Sequence, residues 1–233
     1  RMVQKLGYNG YPEFQTELRE ELKAKANSPI AKHNIWAESA PSEHILNRFT
    51  DAVINNIRHT LNQIDPDDFD KACSMSANIE NHLYIVGGRV THTLAEYLFM
   101  HMQVIRSKIT HIQSTSNTWP QYLLDVKEDD VFIIFDMRRY ENNTLKLAEI
   151  AHDKGAKLIL FTDQWRSPIH LLADIILSSR IIAPSAWDSA ATPLLLLETM
   201  ISEVQNLTWG RTKRRMEVLE TIFDQTKLFR KFT

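Results

Sequence analysis

Five short apolar runs, each set off by a longer stretch of helical character, constrain this chain more than any other feature. The runs are His82-Leu83-Tyr84-Ile85-Val86, Lys108-Ile109-Thr110-His111-Ile112, Val131-Phe132-Ile133-Ile134-Phe135, Lys157-Leu158-Ile159-Leu160-Phe161 and Asp174-Ile175-Ile176-Leu177. Helical candidates lie between them at about 92–105, 119–125, 143–154 and 168–173. Such alternation is the signature of β-α-β units and a mainly parallel sheet buried on both faces. The expected fold is therefore α/β: one doubly wound, mainly parallel five-stranded sheet flanked by helices. A long apolar helix is expected after Ser189, through Leu207, and a helical tail from Arg211 that carries seven Lys/Arg against three Asp/Glu.

Upstream of the first run, Ile45, Leu46, Phe49, Val53, Ile54, Ile57 and Leu61 recur at three and four, which marks one face of a helix over 42–64. A shorter helix is expected from Pro66 to near Asn78. This helical pair reads as cover for the sheet and as a dimer contact, a role the helix after Ser189 shares. Residues 27–41 hold two prolines and no clear periodicity, and they read as a linker. Before it come the end of one helix, a turn over Gly7-Tyr8-Asn9-Gly10-Tyr11, and a helix opening at Pro12, because proline suits a first helical position and glycine a helix end.

Charge narrows the functional classes. With 27 Lys+Arg against 29 Asp+Glu the formal net charge is −2, whereas a dedicated nucleic-acid binder carries a basic domain or face. Any DNA contact must sit in a local segment. The single Cys73 cannot close an internal disulfide, which fits a reducing, cytoplasmic setting. No run reaches the ~18 apolar residues of a membrane span, and the start lacks the apolar stretch of a signal peptide. The chain opens on Arg1 rather than Met, so it is expected to begin inside a longer protein.

In a parallel α/β sheet, ligands bind beyond the carboxyl ends of the strands, where a loop enters the next helix. The loops to consider are 87–93, 113–118, 136–144, 162–167 and 178–189. The first, Gly87-Gly88-Arg89-Val90-Thr91-His92-Thr93, could offer amides and a helix dipole to an anion, or be a plain tight connection. It carries neither Gly-x-Gly-x-x-Gly nor a Walker motif. In Asp136-Met137-Arg138-Arg139-Tyr140 two adjacent guanidinium forks could clamp a carboxylate or phosphate; the alternative is that one of them pairs with Asp136 or Glu141. Asp163 and Gln164 could serve a ligand, but carboxylates at strand ends more often cap the next helix. Glu198 and Glu203 read as solvated or interface residues. The nine His are scattered, no His-x-x-x-His pair exists, and Cys73 has no companion, so no metal site is expected. A Gly-x-Ser-x-Gly elbow is missing.

The β-Gly-Gly-x-x-Thr-helix of 85–95, Ala151-His152-Asp153-Lys154-Gly155-Ala156, the strand into Thr162-Asp163, and Ser167-Pro168 with Ala173-Asp174 resemble a sugar isomerase (SIS) domain. The start, from Arg1-Met2-Val3-Gln4-Lys5-Leu6-Gly7 to Pro12-Glu13-Phe14, resembles the end of the helix-turn-helix of RpiR/MurR-type transcriptional regulators. The resemblance implies three parts: the tail of a DNA-binding module over 1–26, a linker over 27–41, and an effector-binding, dimerising SIS domain over 42–233. It implies a regulator whose SIS domain binds a phosphosugar or other acidic carbohydrate-derived metabolite and so controls operator binding, as a homodimer or homotetramer without a cofactor and away from membranes. The candidate ligand residues drawn from the strand-end loops are Gly88, Arg89, Thr91, His92, Ser114, Asp136, Arg138, Arg139, Tyr140 and Ser189, and the resemblance adds Arg1, Gln4 and Lys5 as the DNA contacts. The sequence departs from the family at both anion loops. Gly-x-Gly-x-Ser becomes Gly87-Gly88-Arg89-Val90-Thr91, and Ser-x-Ser-Gly-x-Thr becomes Asp136-Met137-Arg138-Arg139-Tyr140-Glu141, where Asp136 and Glu141 would repel a phosphate. Two other readings follow: a phosphosugar isomerase on the same fold, its base drawn from His92, Asp136, Glu141 or Glu198, or a dimeric scaffold whose ligand site has decayed.

Overall fold

A computed structural model describes residues 3, 10–12, 14–16, 18, 28–38, 44–113 and 117–229, omitting the side chains of residues 35–38. The expected DNA contacts Arg1, Gln4 and Lys5, and the expected ligand residue Ser114, lie outside the described residues. The chain divides into two compact units, one of 56–181 with 190–233, the other of the described residues up to 55 with Ile182–Ser189.

The larger unit holds the sheet. Strands β1 (Leu83–Gly87), β2 (Ile109–Ile112), β3 (Val131–Phe135), β4 (Lys157–Asp163) and β5 (Ile175–Ser179) run parallel in the order β2-β1-β3-β4-β5. Every residue of β1 and β3 is buried, while the edge strands β2 and β5 are partly exposed. That contrast explains the unbroken apolar runs at the centre, since inner strands of a parallel sheet need apolar residues on both faces.

Successive side chains alternate between faces. Leu83, Ile85, Val131, Ile133, Phe135, Ile159, Phe161 and Leu177 pack in one core with α3 (Pro66–Ala77), α4 (His92–Ile105) and α6 (Ala191–Leu207). Tyr84, Val86, Phe132, Ile134, Leu158 and Leu160 pack in a second core with α5 (Asn142–Asp153) and two short 3-10 turns, Trp119–Leu123 and Pro168–Leu171. A final helix, α7 (Trp209–Thr226), follows α6. At the amino-terminal end of the sheet the fully buried Arg106 guanidinium donates to the carbonyls of Ser76 at 2.7 Å, of Asn81, and of Ser107 at 3.0 Å. It thereby ties the ends of α3 and α4 to the strands that follow them.

The helices expected over 119–125 and 168–173 are the two 3-10 turns. Each carries a proline in its first turn and is too short to repay α-helix nucleation. The stretch read as a linker contains a helix, α1 (Pro29–Glu38). Its start signals are present in Ser28, whose hydroxyl accepts from the Ala31 amide at 3.3 Å, and in Pro29 at the first position, but an apolar stripe is not. In that smaller unit Lys32 is buried and meets Asp188 at 2.6 Å. Helix α2 (Ile45–Leu61) falls within the helix expected over 42–64.

Candidate functional site

The parallel register brings the ends of β1, β3 and β4 side by side, with Gly87 opposite Phe135 and Phe135 opposite Phe161. Loops that are far apart in sequence therefore meet at one edge of the sheet, where free backbone groups collect.

The first loop turns sharply between β1 and α4. The His92 amide returns to the Gly88 carbonyl at 2.8 Å, and the Thr91 hydroxyl accepts from the Gly88 amide at 2.8 Å while donating to the Phe135 carbonyl at 2.7 Å. Thr91 is thus a brace between the first loop and the end of β3, with its hydroxyl committed on both sides. The Nδ1 atom of His92 lies 3.1 Å from the Arg89 carbonyl.

The loop after β3 is held from β4. Asp163, fully buried, accepts from the Arg138 amide at 2.6 Å, from the Tyr140 hydroxyl at 2.8 Å and from the Trp165 amide at 2.9 Å. Burial, and next the Asp163 charge, push the Tyr140 hydroxyl well above the ordinary tyrosine range. The Arg138 guanidinium lies 4.0 Å above the centre of the Trp165 ring, a cation–π contact that holds the side chain in place. Arg139 is exposed and has a φ of 65°, the left-handed region that glycine enters at least cost.

Asp136 is 2 % exposed, accepts from the Ser167 hydroxyl, and takes a long 3.4 Å bond from the Glu141 amide. Burial raises its carboxyl from an ordinary 3.8 to about 6; the Ser167 and Glu141 hydrogen bonds oppose this, and the nearby Glu141 and Asp163 charges add to it. Around it, Thr162 donates to the Asp136 carbonyl at 2.8 Å and accepts from the Ser167 amide at 2.9 Å. The Glu141 carboxylate reaches back across to the first loop, where it accepts from the Arg89 amide.

Of the residues expected at the site, Gly88, Arg89, Thr91, His92, Asp136, Arg138, Arg139 and Tyr140 lie on these meeting loops. Ser189 belongs to the smaller unit. Sequence reasoning undervalued Asp163, Ser167 and Glu141, the residues that lock the loops together. The Ser167-Pro168 motif was the available signal: its hydroxyl both caps the following 3-10 turn and bonds Asp136. Among the described residues no three His, Cys, Asp or Glu side chains are grouped to hold a metal ion. No described helix is long and apolar enough to cross a membrane. A groove of about 810 Å³ lined by Glu80, His82, Tyr84, Lys108, Lys127 and Asp130 lies at the amino ends of the strands, opposite the edge where ligands of parallel sheets bind.

The SIS domain family model matches residues 78–203. An uncharacterized HTH-type transcriptional regulator of Clostridium perfringens is 24% identical over 211 residues, covering 88% of this chain and 74% of its own. The sugar isomerase domain of the RpiR transcription factor from Sphaerobacter thermophilus superposes with a TM-score of 0.69 at 20% identity, over 76% of this chain and 97% of that one. The Vibrio vulnificus NanR protein, solved in complex with ManNAc-6P, gives a TM-score of 0.60 at 14% identity, over 97% of this chain and 80% of its own.

Proposed function

The chain belongs to the SIS domain family, and from that premise we propose that it is the sensing and dimerising part of a DNA-binding transcriptional regulator. Its SIS domain binds a phosphosugar or other acidic carbohydrate-derived metabolite at the carboxyl edge of the sheet, and occupancy controls operator binding. The observation that carries this reading is the convergence of the loops after β1, β3 and β4, braced by Thr91 and Asp163. The similarity to a regulator of C. perfringens and to the RpiR and NanR structures supports it. Arg1, Gln4 and Lys5 contact DNA, as phosphate contacts that position a protein on the duplex. The dimer forms through α2 and α6.

The isomerase alternative keeps one chemically apt candidate. Of its four candidate bases, Asp136 is bonded to Ser167, Glu141 to the Arg89 amide and Glu198 to the Tyr97 hydroxyl, while His92 turns Nδ1 to the Arg89 carbonyl. That contact orients the ring with Nε2 as the basic atom, so turnover, rather than geometry, separates the two readings.

A thermal-shift screen with sugar phosphates, sugar acids and amino sugars tests the reading, because a ligand of the native state raises the melting temperature. The expected result is a shift with one acidic sugar class that disappears in the Arg138→Ala/Arg139→Ala double variant, with unliganded melting still cooperative. The same ligand is expected to change a gel shift on promoter DNA. Equal binding by native and double-variant protein would remove the arginines from the site, and turnover of a phosphosugar lost in His92→Ala would favour the enzyme.

A further inference from the structure

We infer that Glu141 is a specificity-determining residue of the effector site: its carboxylate fills the anion position of the first loop, and an acidic effector gains that position only by displacing it. The inference rests on the effector-binding reading above and refines it.

In the first loop the Gly88 amide is spent on the Thr91 hydroxyl and the His92 amide on the Gly88 carbonyl. The Arg89 amide donates to Glu141, 52 residues away in the chain. The carboxylate lies so close to the loop backbone that a Cβ on Gly88 would stand 2.8 Å from Glu141 Oε1. A ligand oxyanion seeking the same amide meets an oxygen already there, bearing the same charge.

Glu141 is delivered to this place rather than wandering into it. Its own amide bonds Asp136, and its neighbour Tyr140 is fastened to Asp163. Asp136 and Asp163 add two more carboxylates within electrostatic reach. An incoming anion therefore has to expel Glu141 and rely on the exposed Arg89 and Arg139 and the stacked Arg138 to offset the remaining acids. A neutral or amino sugar faces no such barrier.

The test is calorimetric titration of inorganic phosphate, and of a hexosamine matched with its 6-phosphate, into native protein, Glu141→Ala and Glu141→Gln. Phosphate is expected to bind Glu141→Ala at least about tenfold more tightly than native protein. Glu141→Gln should fall between, since it keeps the acceptor and loses the charge. Equal or weaker phosphate affinity in both variants, each melting cooperatively, would overturn the inference; if Glu141→Ala does not fold, Glu141→Gln decides alone. The matched sugars separate this idea from its premise. Tighter phosphate binding with neither sugar bound by any form keeps the role of Glu141 and removes the sugar effector, whereas a 6-phosphate bound equally by all three forms does the reverse.

Discussion

Tyr140 donates its hydroxyl to Asp163 at 2.8 Å, so that the loop after β3 is fastened by the last residue of β4. Asp163 holds two further donors, the Arg138 and Trp165 amides, and the two sides of this contact are unequal in consequence. Tyr140→Phe deletes one bond and leaves Asp163 with two donors, so it is expected to cost about 1 kcal/mol. Asp163→Ala strands three donors and is expected to cost about 3 kcal/mol. Urea unfolding of the two variants checks the ordering; equal losses would mean that the amide bonds contribute nothing.

Asp136 makes a pH prediction whose sign runs against the common pattern for carboxylates. Its folded value is raised to about 6, chiefly by burial, so the folded state binds its proton more tightly than the unfolded chain does. Ionisation above that value penalises the fold, and the penalty fades as pH falls through about 6 and is lost below the ordinary value of 3.8, where both states are protonated. A rise of that size corresponds to about 3 kcal/mol. Native protein should therefore gain stability relative to Asp136→Asn when urea midpoints at pH 7 and pH 5 are compared. Parallel changes in the two proteins would assign the pH response to other groups.

The sheet was readable from the sequence because its physics is local. Leu83, Ile85 and Ile133 alternate with Tyr84, Phe132 and Ile134 between two cores, and inner strands covered on both faces must be continuously apolar. α4 likewise runs from His92 to Ile105, the bounds expected for the helical stretch between the first two apolar runs. The site was readable only as a set of loops. Its decisive contacts join Arg89 to Glu141 and Tyr140 to Asp163, and a carboxylate in a sequence does not announce which distant amide it will meet. Glu141 could be foreseen as repelling a phosphate, but not as occupying the place of one. Helix α1 leaves no periodic signal in the sequence because it is held without an apolar stripe, its Lys32 buried against Asp188 from a segment far along the chain.

Arg139 stands where the family pattern has glycine, and it keeps the backbone that glycine would have, at a φ of 65°. A non-glycine residue in that region costs about 1–2 kcal/mol. Part of this is returned because arginine restricts the unfolded chain more than glycine does. Arg139→Gly is therefore expected to raise stability by up to about 1 kcal/mol while removing one guanidinium from the site. A thermal melt together with the effector titration reads both effects, and a clear loss of stability would show that the Arg139 side chain makes a stabilising contact of its own.

The two adjacent glycines of the first loop should respond very differently to one added methyl group. On Gly87 a Cβ would lie 2.5 Å from the Thr91 carbonyl oxygen and 2.7 Å from the His92 nitrogen. Both are backbone atoms fixed by the entry into α4, so Gly87→Ala must push strand and helix apart, at an expected cost of about 3 kcal/mol. On Gly88 the Cβ would instead meet Glu141 Oε1 at 2.8 Å, the end of a side chain that can rotate away. Gly88→Ala should cost about 1 kcal/mol, most of it the lost bond between Glu141 and the Arg89 amide. A double-mutant cycle isolates the cause: in a Glu141→Ala background the cost of Gly88→Ala should largely vanish, while that of Gly87→Ala should stay. If the Gly88→Ala penalty persists without Glu141, the tight approach at Gly88 belongs to the backbone, and the carboxylate is not what requires glycine there.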